Sequence, residues 1–302
     1  MANHHNHSAE ITSEKNLFLT MALNFIITIA EVIGGLISGS LSLISDALHN
    51  FSDGLAIIIS YIALRLSKKP NTSRYTFGLK RAEIIAAIIN ASTLIIISFF
   101  LIKEAIERFY HPSPITGGIM LIVAIIGLAA NVIGTLLLKK GSESNLNIRA
   151  AYFHLLSDAI SSLAVIIGAV FIIFYKIYWV DPLLTILISV YILTETYSIV
   201  KEAVDIVMMS SPHGIEINDV KTLVESTDGV KNIHHVHIWK MNDNDTHFEA
   251  HIEVVDMMVS ESSKIQNLIE KKLHEKYDIN HTTLQFECDR CDYKNIIAQG
   301  IV

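Results

Sequence analysis

The chain has 302 residues, of which 51% are hydrophobic and only 18% charged, with a formal net charge of -7. An ordinary soluble protein carries about a quarter charged residues, so a chain that is soluble throughout is excluded. The acidic balance, concentrated in the C-terminal segment, argues against a nucleic-acid partner.

Residues 1–15 read as a polar tail with His4, His5 and His7, either a weak metal-capturing cluster or a plain solvated segment. A full-length apolar run follows at once, which is the wrong order for a cleavable signal peptide, so the first span is expected to stay. A bilayer core of about 30 Å takes roughly 20 apolar residues as a helix. Within residues 16–209, six segments reach that length: 17–37, 41–66, 81–102, 115–138, 150–174 and 182–204. Gly39-Ser40 makes the first connection tight, and Lys68-Lys69-Pro70-Asn71, His111-Pro112-Ser113-Pro114 and 141–145 break the later ones. Arg65, Lys68, Lys69, Arg74, Lys80 and Arg81 gather between the second and third spans, and Lys139, Lys140 and Arg149 between the fourth and fifth. By the positive-inside rule these loops and both termini face the cytoplasm.

Near Ser210–Gly214 the composition becomes that of a soluble segment, so residues 210–302 form a second, cytosolic domain. Helical periodicity marks 219–226 and 260–276; alternation marks strands at 230–241, 247–256 and 282–287, with Asn242-Asp243-Asn244-Asp245 as a hairpin turn. The predicted fold is therefore an α-helical polytopic membrane protein of six spans plus a C-terminal α+β domain. Its α-β-β-α-β order is ferredoxin- or metallochaperone-like, with helices on one face of a small sheet.

Ionisable groups in lipid-depth helices cost about 2.5–3.5 kcal/mol each on insertion scales and mark function. The second span holds Asp46, His49 and Asp53; the fifth holds His154 and Asp158. Each His-x-x-x-Asp pair lies on one helix face, one turn apart. Two such faces supply two imidazoles and two carboxylates, a set suited to the tetrahedral preference of zinc. The pairs echo one another as H-x-x-S-D, and paired repeats that build a central site are common in transporters. One pair alone also admits the lesser reading of a hydrogen-bonded contact that fixes helix packing.

The run Gly39-Ser40-Leu41-Ser42-Leu43-Ile44-Ser45-Asp46-Ala47-Leu48-His49 with Asp53 resembles the cation diffusion facilitator family. So do Phe77-Gly78 with Arg81 and Glu83, His154 with Asp158, Val236-His237-Ile238-Trp239, and His281 to Glu287. The resemblance covers nearly the whole chain. It implies a bacterial inner-membrane exporter of the zinc, cobalt and cadmium type, a homodimer exchanging cytoplasmic metal for protons by alternating access. It carries the transport site onto His49, Asp53, His154 and Asp158, and makes His234, His251 and His281 regulatory zinc ligands, completed by Glu287 or a partner group. His49 argues against the iron and manganese types, which tend to have a carboxylate or amide there. Asn71 to Lys80 contains no histidine, so the additional loop metal site of some relatives is expected to be missing.

Other residues are further candidates. His235 and His237 should share one strand face and His234 the other, with His235 and His247 reading equally as surface histidines. Asp46 and His237 are possible additional ligands. Cys288 and Cys291 have the spacing of half a zinc site, or are two free thiols that stay reduced in the cytosol. Glu31 reads as packing glue or as a path residue. The leading expectation is a proton-coupled zinc exporter and not an enzyme, since a symmetric four-ligand set leaves no open position for a nucleophile. The alternative is a membrane-bound metal sensor that moves no ions.

Overall fold

The structure, a computed structural model, describes residues 5–139, 146–242, 245–290 and 295–297. Its elements run α1 (His5–Ser38), α2 (Leu41–Ser67), α3 (Ala82–Tyr110), α4 (Gly117–Leu138), α5 (Leu146–Tyr175) and α6 (Val180–Val207). There follow α7 (Ile217–Glu225), β1 (Val230–Lys240), β2 (Thr246–Val254), α8 (Val259–Tyr277) and β3 (His281–Glu287). The chain divides into two compact units, Met1–Ile62 with Ala86–Val200, and Ala63–Ile85 with Lys201–Val302.

In the first unit, α1 to α6 are each long and apolar enough to cross a membrane. Their packing is inverted relative to a soluble protein. Ile26, Leu36, Phe100, Ile122 and Phe174 are exposed, while Ser40, Ser42, Asp46, Asn131, Asp158 and Asp181 are buried. In lipid this is the expected sense, because apolar side chains gain nothing by leaving the tails and polar groups hold helices together. The first helix begins earlier than its apolar run. It extends back to His5 through Ala9, Glu10, Glu14 and Lys15, all good helix formers, although its membrane-length segment starts at Leu19. His4 lies outside the described residues.

Between α1 and α2 the chain reverses at Gly39, whose φ of 76° is a left-handed value that a side chain would strain. The start of α2 is capped from a distance. The Asp181 carboxylate, on the first turn of α6, accepts from Leu41 N (2.8 Å), Ser42 N (3.2 Å) and the hydroxyls of Ser40 and Ser42 (2.6 Å each). Arg108 of α3 donates to the Gly39 carbonyl. These bonds fix the phase of α2, and hence the direction in which His49 and Asp53 point.

In the second unit, β1 and β2 pair antiparallel, and β3 adds parallel to β2 after the α8 crossover, in the order β1-β2-β3. Val220 and Val224 of α7 and Ile265, Ile269 and Leu273 of α8 pack with Ile233, Phe248, Ala250 and Ile252 of the strands. Both helices thus cover one sheet face, as the α-β-β-α-β reading expected. Asn242 and Asp245 bridge the hairpin, the Asn242 Oδ1 accepting from Asp245 N at 2.8 Å; Asp243 and Asn244 lie outside the described residues. The turn of the Phe77-Gly78 motif has φ 72° at Gly78, where a Cβ would meet Asn71 Oδ1 at 2.8 Å. Lys80, two residues on, donates to Asp245 Oδ2 at 2.7 Å, and this bond first of all holds the Asp245 carboxyl below the usual range.

One expected regularity is broken. Between His234 and His237 the β1–β2 register shifts, and His235 takes a left-handed φ of 52°. The extra residue of this bulge cancels the strict alternation. The rings of His234 and His235 therefore both lie beside His251, at 5.4 and 4.7 Å between centroids, instead of on opposite faces.

Candidate metal centres

Antiparallel packing of α2 against α5 builds the first centre. Ser161 Oγ donates to Asp46 Oδ1 at 2.9 Å, and two turns along the same seam His154 Nε2 lies 3.2 Å from Asp53 Oδ2. Between these rungs, His49 Nε2 is 3.5 Å from Asp53 Oδ2, and His154 Nε2 is 3.6 Å from Asp158 Oδ2. The ligand atoms of His49, Asp53 and His154 all lie within 4.8 Å of one another, and Asp158 joins them through His154. Asp53 Oδ2, Asp158 Oδ2 and His49 Nδ1 are buried and take no hydrogen bond.

The serines of the two H-x-x-S-D repeats bond outward, Ser52 to Asn90 of α3 at 3.1 Å and Ser157 to the Tyr191 hydroxyl of α6 at 2.9 Å. The repeat therefore has a geometric content: His and Asp face the seam, and Ser ties each helix to its next neighbour. Asp46 is buried beside Ser161, beyond the group of three. Glu31 is buried on α1 and accepts from Asn50 Nδ2 at 3.2 Å, which tethers the residue next to His49. Gly127 of α4 leaves room for it, since a Cβ there would meet Glu31 Oε1 at 2.8 Å. Tyr191 and Glu195 were passed over in the sequence, where a polar residue in an apolar run was the only signal.

The second centre lies in the α/β unit. His234 Nε2 is 3.4 Å from Glu287 Oε2, and His251 Nδ1 is 3.0 Å from Glu287 Oε1. These three residues offer ligand atoms within 4.8 Å of one another. Neither nitrogen of the buried His234 has a hydrogen-bond partner. Such an orphaned imidazole is costly when dry, and a divalent cation would satisfy it, so the donor set fits zinc. Burial lowers the His251 pKa, against the pull of Glu287, and favours the neutral ring that a metal requires.

The set expected from the sequence is split here. His281 pairs across the sheet with His247, and Glu287 with Glu253. Six residues of strand at about 3.3 Å each separate His281 from Glu287. The His281 ring instead lies 4.4 Å from that of His247, which stacks on Trp239 at 5.4 Å. His237 is exposed opposite Glu249 and does not join the group of three. Cys288 is exposed just after Glu287, and Cys291 lies outside the described residues. Burial, then the positive neighbours His281 and Lys80, lowers the His247 pKa. An NMR titration of the histidine rings should therefore place His247 below the ordinary value of about 6.5. Because its folded pKa is depressed, the stability it contributes is present above that ordinary value and lost as pH falls through the folded one.

Six helices long and apolar enough to span a membrane, with a His-Asp cluster that could hold a metal ion between two of them and a small α/β domain after them, define the architecture of a polytopic membrane protein. Residues 17–208 match the cation efflux transmembrane domain and residues 212–288 the cation efflux protein cytoplasmic domain; the chain belongs to the cation efflux, or cation diffusion facilitator, family. It is 38% identical over 296 residues to the cadmium, cobalt and zinc/H(+)-K(+) antiporter of Bacillus subtilis (97% of this chain, 94% of the relative). It is 35% identical over 297 residues to the zinc transporter ZitB of Escherichia coli (96% and 94%). To the metal cation efflux system protein CzcD of Cupriavidus metallidurans it is 34% identical over 288 residues (95% and 91%). Among solved structures, the metal-bound C-terminal domain of the CzcD transporter aligns at 29% identity and a TM-score of 0.22, covering 24% of this chain and 99% of that one.

Proposed function

We propose that this protein exports zinc from the cytoplasm in exchange for protons, with His49, Asp53, His154 and Asp158 as the transport site. The observation that carries this reading is the spacing of the ligand atoms. A tetrahedral ion with ligands at about 2.0 Å needs them about 3.3 Å apart, and the three closest contacts are 3.2, 3.5 and 3.6 Å. The names of the relatives, with zinc in two of the three, agree with it. Metal and protons compete for the same atoms, because an imidazole or carboxylate must give up its proton to bind. Alternating exposure of His49 and His154 to the two sides then converts a proton gradient into metal movement.

Both termini face the cytoplasm of a bacterial inner membrane, an orientation that the basic loops support, and the cytoplasmic domain supports a homodimer. His234, His251 and Glu287 hold a regulatory zinc there. With the membrane centre disabled by Asp53→Ala, calorimetric titration should show Glu287→Gln lowering zinc affinity by at least about tenfold. His281→Ala should leave that affinity within about threefold, and a larger loss would return His281 to the ligand set.

The test of the export reading is metal uptake into proteoliposomes with an acidic interior, comparing zinc, cobalt, cadmium and manganese. Uptake of zinc that collapses with the proton gradient is expected, with manganese the poorest substrate. Uptake indifferent to the gradient removes the exchange, and zinc bound but never moved makes the protein a sensor.

A further inference from the structure

The residues of the membrane centre are unequally sheltered. The side chains of His49 and Asp158 keep 10% and 4% of their surface, whereas Asp53 and His154 keep 29% and 37%. The centre is therefore open where His154 of α5 meets Asp53 of α2. On α5, one turn along from His154, is Ser157, whose hydroxyl lies 2.9 Å from that of Tyr191 on α6. Tyr191 in turn donates to the Glu195 carboxylate, one turn further along α6. Glu195 and Tyr191 are exposed.

Glu195 is twelve residues before Val207, the last residue of α6, or about 18 Å from that end of the helix. Charged side chains at such depth face water-filled cavities rather than lipid. Ser157, next to Asp158 in the chain, and Tyr191 anchor this carboxylate beside the open side of the centre.

We propose that Glu195 is a positioning residue that draws divalent cations to this mouth and passes them to Asp53 and His154, without itself becoming a ligand of the bound ion. This rests on the reading of the four-residue centre as a metal site. Its physical basis is focusing: a fixed negative charge at an opening with low-dielectric walls raises local cation concentration and association rate, here by about tenfold, at the low end of the range for such effects. The attraction acts on charge, so it does not discriminate zinc from cobalt.

The test is stopped-flow zinc binding to the full-length purified protein, taking as the centre's share the signal lost in Asp53→Ala. Uptake kinetics are measured on the same variants. Glu195→Gln should slow association about tenfold at low salt, less at high salt, with dissociation and maximal uptake rate unchanged and KM raised to match. Glu195→Asp should restore the rate, and Tyr191→Phe, which releases the carboxylate, should fall between. An unchanged association rate in Glu195→Gln overturns the proposal, as does a collapse of maximal rate at constant association. A Glu195-dependent association rate in a protein that takes up no zinc would leave this inference standing and remove the export reading. No binding at the centre would remove both.

Discussion

Replacing Asp53 or Asp158 by Ala is expected to abolish gradient-driven zinc uptake, with a fall of at least about a hundredfold, the upper end of what loss of a mere supporting partner costs a metal site. The two variants should fail for different reasons. Asp53 Oδ2 is the atom that both imidazoles approach, at 3.5 Å from His49 and 3.2 Å from His154. Its removal takes away the oxygen common to the three-residue group and leaves two histidines with ring centroids 5.7 Å apart. Asp158 lies 3.6 Å from His154, outside the three-residue group, and is the more deeply buried carboxylate. Its loss should leave a three-ligand site that still binds zinc weakly. Equilibrium dialysis of the purified variants separates the cases: measurable binding in Asp158→Ala, and none at the centre in Asp53→Ala.

The second large effect is expected far from either centre. Asp181→Ala should destabilise the helical unit by about 3 kcal/mol or more. A helix cap contributes about 1 kcal/mol, and a hydrogen bond to a charged group about 1.5–3 kcal/mol. Asp181 accepts from two backbone N–H groups and two hydroxyls, and it is fully buried, at 0% exposure. Water cannot replace it, so the first turn of α2 would be left with orphaned donors. Because α2 carries His49 and Asp53, uptake should fall together with thermal stability. Melting of the detergent-solubilised protein followed by tryptophan fluorescence checks this. A variant that melts with the parent would show that Asp181 is dispensable to α2.

Asp181 also shows where the sequence becomes silent. Its place before Pro182 reads as an ordinary helix start, and nothing in the letters links it to Ser40 and Leu41, whose bonds to it cross from α6 to α2. By contrast, the six spans were legible because hydropathy and length decide them. The order of the α/β domain was legible because alternation and helical period seldom coincide. The His-Asp pairs were legible because charge in lipid is expensive, and helical spacing fixes a shared face whatever the tertiary fold.

What depended on register was not legible. The parallel pairing of β3 with β2 puts His281 beside His247 and separates it from Glu287. The bulge at His235 overrides the alternation that assigned its face. Both are consequences of strand neighbours, which a strand's own residues do not specify.

The account rests on one coordination sphere, and zinc-edge X-ray absorption tests it most directly. The sample is the full-length protein carrying His234→Ala, Glu287→Gln, Cys288→Ser and Cys291→Ser, loaded with one zinc per chain so that the membrane centre dominates. Four nitrogen or oxygen neighbours at about 2.0 Å, with the outer-shell signature of two imidazoles, are predicted. Adding His154→Ala should remove one imidazole. A six-oxygen shell, or a spectrum unchanged by His154→Ala, would contradict the account.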